Sequence, residues 1–529
     1  MAIDKFDVVI VGAGFAGMYM LHRVRGLGLT ARVFETGDGV GGTWYWNRYP
    51  GARCDVESMQ YSYQFSDELQ QEWEWSERYS PQPEILKYAN HVADRFDLRR
   101  DIQFETRVTS AVYDDKAGTW AVETDKGDKV TANFVVMATG CLSAANKPAF
   151  KGVELFKGAT YHTGLWPHEP VDFTGKRVAV IGTGSSAIQS IPVIAGQASR
   201  LTVFQRTANY TVPAHNQPLD LDYRQRIKAD YQGLRARARK NPPNIDYRFN
   251  PVSALAVGEE DRRREFENRW AEGGIPFMGA FNDLLFNDDS NKTAADFVRE
   301  KIRATVQDPK VSELLSPTNI IGCKRLCVDT NYYATFNRPH VELVDISKSE
   351  VEITAKGVKT GGKEYAVDAI VFAIGFDAMT GAILRVDIQG KGGVSLRDKW
   401  AEGPRAYLGL SIAGFPNLFT VTGPGSPSVL TNMLPSIEQH VDFIADAITW
   451  LRRNGKSRLE ALPEAQAKWV EHVGDVAGIT LRSTCSSWYL GANVPGKPRV
   501  FMPYIGGFPA YVQKCQEVVA KGYDGFVTA

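Results

Sequence analysis

"FDVVIVGAGFAGMYMLHRVRGLG" occupies residues 6–28, and its reading decides the architecture. A continuous apolar strand runs into Gly12, Gly14 and Gly17, and Met18, Leu21 and Val24 then recur at helical spacing. Glycines in that position let a backbone approach a pyrophosphate, and the helix start offers unpaired N–H groups and a positive dipole end. A lone GxGxxG says little; between a strand and a helix it carries the mechanism of dinucleotide binding. The next strand, "TARVFE" (30–35), ends on Glu35, a carboxylate able to accept hydrogen bonds from two ribose hydroxyls. That suits an unphosphorylated ribose, as in FAD or NAD.

The design returns at "KRVAVIGTGSSAIQSIPVIAGQ" (176–197), with Gly182 and Gly184, and at "RLTVFQRT" (200–207). Gln205 now stands where the acid stood, and Arg206 and Thr207 follow. A carboxylate repels a 2′-phosphate, whereas an arginine pairs with it for roughly 1.5–3 kcal/mol. The second unit therefore selects NADPH and the first FAD, a pairing that passes hydride between the two. "VVMATG" (135–140) and "VFAIG" (371–375) are strands ending in small-residue turns, the return points between such units.

Outward from these units the chain divides as follows. Residues 1–140 and 376–529 form the FAD-binding domain, and 150–208 with 320–375 the NADP-binding domain. A helical insertion spans 212–318. The expected fold is α/β, with two Rossmann-like domains. Within the insertion, "NKTAADFVREKIRATVQDP" (291–309) carries Phe297, Val298, Ile302 and Val306 on one face, with Pro309 as the stop. Near the C-terminus a helix capped by Ser436 buries Ile437, Val441, Ile444, Ile448 and Leu451, with Gly455 just past its end.

The 529 residues suit two to four domains, and Lys+Arg 61 against Asp+Glu 61 leave no field to attract nucleic acid or acidic lipid. The basic runs "LRARARK" (234–240) and "DRRRE" (261–265) read as solvated helix faces. Six cysteines at 54, 141, 323, 327, 485 and 515 include no CxxC, which argues against a disulfide framework or zinc module and suits a reducing compartment. "CKRLC" (323–327) reads as two ordinary thiols, and no histidine spacing implies a metal. Without a signal peptide or an apolar run of membrane length, the expected location is cytoplasmic.

Electrons delivered to a flavin can go to a dithiol, a protein partner or dioxygen. Only Cys54 follows the first glycine turn closely, and no charged docking patch is evident, so dioxygen is favoured. Its activation needs a dry pocket. "GGTWYWNRYPGARCD" (41–55) places Trp44, Tyr45, Trp46 and Tyr49 beside one carboxylate, Asp55. Those aromatics suit a water-excluding cover or packing between domains.

That stretch, through Gly42, Trp44, Tyr49, Pro50, Gly51 and Asp55, resembles the flavin-side motif of the type I Baeyer–Villiger monooxygenases. "FKGATYHTGLWP" (156–167) matches their FxGxxxHxxxWP signature through Phe156, Gly158, His162, Trp166 and Pro167. The resemblance covers essentially the whole chain, reaching "GPGSPS" (423–428) and "SWYLGANVPGKPRVF" (487–501). It implies an NADPH- and FAD-dependent enzyme that turns ketones into esters or lactones with O2, through a flavin C4a-peroxide. Its partners are then small molecules alone. Arg325 would offset negative charge on oxygen, and Asp55 would orient Arg325. The same resemblance implies FAD contacts from Thr43, Trp44, Tyr45, Trp46, Asp55, Tyr61 and Val108. For NADP it implies Arg53, Gly182, Thr183, Gly184, Ser185, Ser186, Gln189, Arg206, Thr207, Lys324, Arg325 and Trp488. His162 is expected to couple domains rather than act as a base. Ile374 departs from the threonine usual in the family. Two other readings stand beside this one: an N- or S-oxygenating flavin monooxygenase, and a non-catalytic flavoprotein that senses NADPH.

Overall fold

The computed structural model describes residues 4–529. β1 (Asp4–Val11) leads through α1 (Phe15–Gly26) into β2 (Ala31–Phe34). Then come β3 (Ile102–Gln103), β4 (Val108–Asp114), β5 (Thr119–Thr124) and β6 (Lys129–Met137). Their sheet runs β4-β5-β6-β1-β2-β3, and two late segments complete it: Asp387–Gln389 beside β4, and Leu418–Thr420 beside β6. The C-terminal third thus returns to the first sheet. β1 lies parallel to both β2 and β6, with Val9 opposite Val135. Its two faces are both buried: Val8 and Ile10 pack toward α1, Val9 and Val11 toward Trp120, Ile388 and Leu418. Burial on both faces is why the strand reads as an unbroken apolar run.

The second sheet repeats the scheme. β7 (Ala159–His162), β8 (Arg177–Ile181) and β9 (Arg200–Gln205) join Val341–Asp345 and Ala369–Phe372, all parallel. α2 (Ser185–Gln197) crosses from β8 to β9. His162 ends β7 and its Nδ1 accepts the Gly164 N–H, so it sits at the sheet edge opposite Phe372.

In both units the first glycine is locked against the returning strand. A Cβ on Gly12 would lie 2.7 Å from the Ala138 carbonyl oxygen, and one on Gly182 would lie 2.3 Å from that of Ala373. Gly12 and Gly182 also hold φ of +102° and +113°, where side chains are strained. The small-residue turns at 135–140 and 371–375 therefore seat the glycine loops.

α3 (Met433–Arg453) packs on α1 and starts earlier than expected: Asn432 takes the N-cap position, and Ser436 lies buried in the first turn, bonded to Thr431. Ser436 is therefore not the cap: it lies inside the helix, and its hydroxyl bonds that of Thr431. Its buried stripe from Ile437 to Leu451 is as the periodicity predicts. In the insertion, Asp288–Thr305 ends before Pro309, which opens the next helix, Pro309–Leu315, instead of stopping the first. Proline at the first helical position gives up an N–H that has no partner there anyway.

The insertion also touches more than the second unit. Tyr231, Leu234 and Ile245 join the first core. Arg235, read as solvated, is 5% exposed and donates to the Gln60 carbonyl and the Ser62 hydroxyl. The basic run thus has one buried face, which its composition hides because the partner loop lies far away in sequence. No helix among the described residues is long and apolar enough to cross a membrane.

Glu438, inside α3, gives the first prediction. It accepts the backbone N–H groups of Gln64 (2.6 Å) and Phe65 (3.0 Å). Burial pushes its carboxyl up to about 7, with Asp442 adding to the rise and the two amides and Arg235 opposing it. The folded chain thus holds a proton that the unfolded chain has released. Its contribution is fully present below the ordinary glutamate range and is lost as pH rises through about 7. Between about pH 5 and pH 8, Glu438→Gln should escape a loss of roughly 2–3 kcal/mol that the parent suffers. Thermal melts of both proteins across this range check it; parallel curves would refute it.

Candidate functional site

α1 and α2 begin without a side-chain cap, and the Gly42 backbone packs against the start of α1. Gly14 and Gly184 occupy the N-cap positions, and neither helix has an acid in its first turn. Orphan N–H groups at an uncapped helix start hold an anion readily. A Cβ on Gly184 would meet nothing within 4 Å, so the backbone there lies open to a ligand, whereas one on Gly17 would strike the Gly12 carbonyl oxygen at 1.8 Å. Glu35 is buried at the end of β2 and takes the Ala13 N–H (2.7 Å) and the Gly37 N–H (2.8 Å). Each oxygen keeps a lone pair for a ribose. Burial raises its carboxyl above the usual range, and those amides oppose the rise. These features fit a dinucleotide with an unphosphorylated ribose.

At the second unit Arg206 is exposed just past β9, and Gln205 points away from it, donating to the Leu314 carbonyl. Lys324 approaches from the chain leading to Cys327–Asp329; burial pushes its ammonium down, and the Arg206 cation adds to the drop. Two cations that repel one another fit a phosphate between them. Thr183 bonds the Thr207 carbonyl (2.9 Å), Ser185 meets Cys327 (3.2 Å) and Ser186 meets Thr163 (3.0 Å). Those side chains line the loop rather than point freely from it.

The aromatic stretch divides its work. Residues Thr43–Trp46 form one helical turn. Trp44 donates its indole N–H to the Tyr61 hydroxyl (3.0 Å). Tyr45 bonds Asp38 and packs edge-on against Trp46 and His168, so it braces the segment after the "HTGLWP" motif. Tyr49 donates to the Gln189 side chain (2.8 Å). Thr43 is exposed and Trp46 half-buried. Val108 lies in the core beside Val9 and Val11, at the start of β4. Arg53 is already paired: its guanidinium meets Glu77 (3.1 Å) and the Tyr79 carbonyl (3.1 Å).

Asp55 and Arg325 come together from opposite units. Arg325 Nε stands 3.2 Å from Asp55 Oδ2, and the Gln189 amide donates to Asp55 Oδ1 (3.3 Å). Asp55 is 9% exposed and Arg325 30%, so the carboxylate is enclosed while the guanidinium retains an open side. The Arg325 Nη1 contact to the Val429 carbonyl is long, 3.5 Å, and leaves that end of the fork available. Burial raises the Asp55 carboxyl, against the pull of Arg325. Burial alone would lower the guanidinium; Asp55, helped by Tyr489, Cys54 and Cys327, reverses this and holds it above its ordinary value. Chemically this is a fixed cation with one free face, anchored on an enclosed carboxylate.

Apolar neighbours complete the surroundings of Arg325. Tyr489 is buried beside Arg325, next to the half-buried Trp488, with ring centroids 4.2 Å apart. Met379 and Val429 share its apolar cluster with Phe501 and Met502.

Comparison with known proteins completes the description. A family model described as pyridine nucleotide-disulphide oxidoreductase matches residues 9–263. A Baeyer–Villiger monooxygenase of Pseudooceanicola batsensis is 42% identical over 527 residues, covering 99% of this chain and 96% of that protein. The phenazine N-monooxygenase PhzNO1 of Lysobacter antibioticus is 40% identical, covering 99% and 97%. Among solved structures, oxidised steroid monooxygenase bound to NADP superposes with a TM-score of 0.95 at 55% identity, covering 99% of both chains. The OTEMO complex with FAD and NADP gives 0.96 at 39%, covering all of both.

Proposed function

The chain belongs to the type I Baeyer–Villiger monooxygenases, and from that premise we propose that Arg325 and Asp55 form the polar centre of its ketone oxygenation. It is an NADPH- and FAD-dependent enzyme that converts ketones to esters or lactones. Bound FAD, reduced by NADPH, supplies the activated oxygen.

The chain's own groups do the rest. The α1 start, Gly12, Gly14 and Glu35 hold the first dinucleotide, and the α2 start, Arg206, Thr207 and Lys324 hold the second. Trp44 and Tyr61, joined by their hydrogen bond, keep water from the site between them. Arg325 turns its free face to the oxygen atom on which negative charge grows, first before attack on the carbonyl and then on the former carbonyl oxygen. A preformed cation in such a site needs no rearrangement as charge develops. Asp55 anchors that cation through Nε, so the other end of the fork stays directed. Gln189 anchors Asp55 in turn.

The observation that carries this reading is the Asp55–Arg325 contact between the two units. Incubation with NADPH, O2 and a panel of cyclic, linear and aryl ketones tests it: products heavier by one oxygen and identified as esters or lactones are expected. Hydrogen peroxide as the sole product would count against it. Within the family the motifs resemble phenylacetone monooxygenase, and we carry that resemblance as a proposal that aryl ketones are accepted. The N-oxygenating relative supports a second reading, so the panel includes an aromatic N-heterocycle. Preference for that compound would favour N-oxygenation. Six free cysteines support a reducing, cytoplasmic setting.

Arg206→Ala should raise the Michaelis constant for NADPH by about tenfold or more and leave that for NADH nearly unchanged. Steady-state assays with each cofactor check this. Equal changes for both would remove Arg206 from phosphate recognition.

A further inference from the structure

We infer that Cys323 and Cys485 form a peroxide-responsive dithiol that closes into an intrachain disulfide across the site. The remaining four thiols are engaged elsewhere. Cys54 accepts the Val56 N–H (3.4 Å), Cys327 meets Ser185 (3.2 Å), Cys141 faces Ser428, and Cys515 faces Tyr511. Cys323 and Cys485, far apart in sequence, face each other. Independent contacts hold their segments together. Arg482 Nε donates to the Gly322 carbonyl (2.8 Å), and the Leu481 N–H donates to the Leu285 carbonyl (2.9 Å). The Cys485 thiol rests on the Leu481 carbonyl at 3.5 Å. Cys323 is buried and Cys485 half-exposed, so an oxidant reaches the pair from the Cys485 side.

The surroundings favour reaction. The contact with Cys485, then Asn319, Lys324 and Arg482, lower the Cys323 thiol in spite of its burial. A lowered thiol carries more of the thiolate, the form that attacks an oxidant. With hydrogen peroxide as oxidant, the Cys323 thiolate attacks one oxygen, and the O–O bond breaks. Sulfenic acid forms, and hydroxide leaves and takes up a proton as water. The Cys485 sulfur then attacks the sulfenic sulfur, the S–O bond breaks, and a second water departs. Two thiols are oxidised by two electrons and one peroxide becomes two waters. The bond would tie the segment carrying Trp488 and Tyr489 to the loop carrying Lys324 and Arg325. "CKRLC" thus has its partner outside itself.

Peptide mapping of the full-length holoenzyme after peroxide treatment tests this without any ketone, so its outcome is separate from the proposed reaction. Cleavage after Lys324 and after Arg325 parts Cys323 from Cys327. The expected result is a Cys323 peptide joined to a Cys485 peptide, two hydrogens lighter and released by dithiothreitol, with two of the six thiols lost. In Cys485→Ser, dimedone should trap sulfenic acid at Cys323. In the parent, NADPH oxidation should fall severalfold and recover with dithiothreitol, while Cys485→Ser shows no such reversible loss. Six thiols surviving treatment, a link through Cys327 or Cys54, or an equal reversible loss in both proteins would overturn the inference.

Discussion

Replacing Arg325 by alanine should lower ester formation by about 10²–10³-fold, with NADPH still reducing the bound flavin. Arg325 has one anchored end, at the enclosed Asp55, and one free end. Truncation removes the charge that offsets the growing anion and leaves the Asp55 carboxylate enclosed without its cation, a state whose cost falls on the same step. On the proposed reading, reduction by NADPH uses the α2 start, Arg206 and Lys324, which the substitution leaves in place. Anaerobic bleaching of the flavin followed by product analysis in air separates the two halves. Unchanged ester yield, or loss of the reduction step instead, would remove Arg325 from the role.

Gly17→Ala should give a chain that fails to retain FAD and is less stable by about 3 kcal/mol or more. The new methyl would lie 1.8 Å from the Gly12 carbonyl oxygen, which is backbone and cannot rotate aside. Relief requires α1 to move off β1, and the uncapped N–H groups at Gly14 move with it. Absence of yellow colour after purification, with a lowered melting temperature, is the expected result. A yellow protein with full flavin content would show that the helix start tolerates the displacement.

The two units were legible in the sequence because their constraints are local. A buried strand, a glycine turn, a helix and a charge at the next strand end lie within about 30 residues. Pairing Asp55 with Arg325 needed the family resemblance, since 270 positions separate them. What escaped depended on tertiary partners. Arg235 looks like its neighbours in "LRARARK" until Gln60 and Ser62 arrive to bury it. Ser436 and Asn432 are both good caps, and packing of α3 on α1 decides between them. Pro309 is a stop signal and a start signal alike, and only the helix that follows shows which. Cys323 shows a local partner at CxxxC spacing, whereas the fold supplies a distant one.

Gln189 deserves a last consequence for engineering. It rides on the helix that begins the second unit, yet its side chain grips Tyr49, the Arg53 carbonyl and Asp55 of the first. A chimaera that borrows its nicotinamide half from a cousin must therefore import residues 49–55 with it, or the graft will seat a carboxylate against the wrong amide. Recombination breakpoints that cut between these two stretches should be purged from any shuffled library selected for turnover.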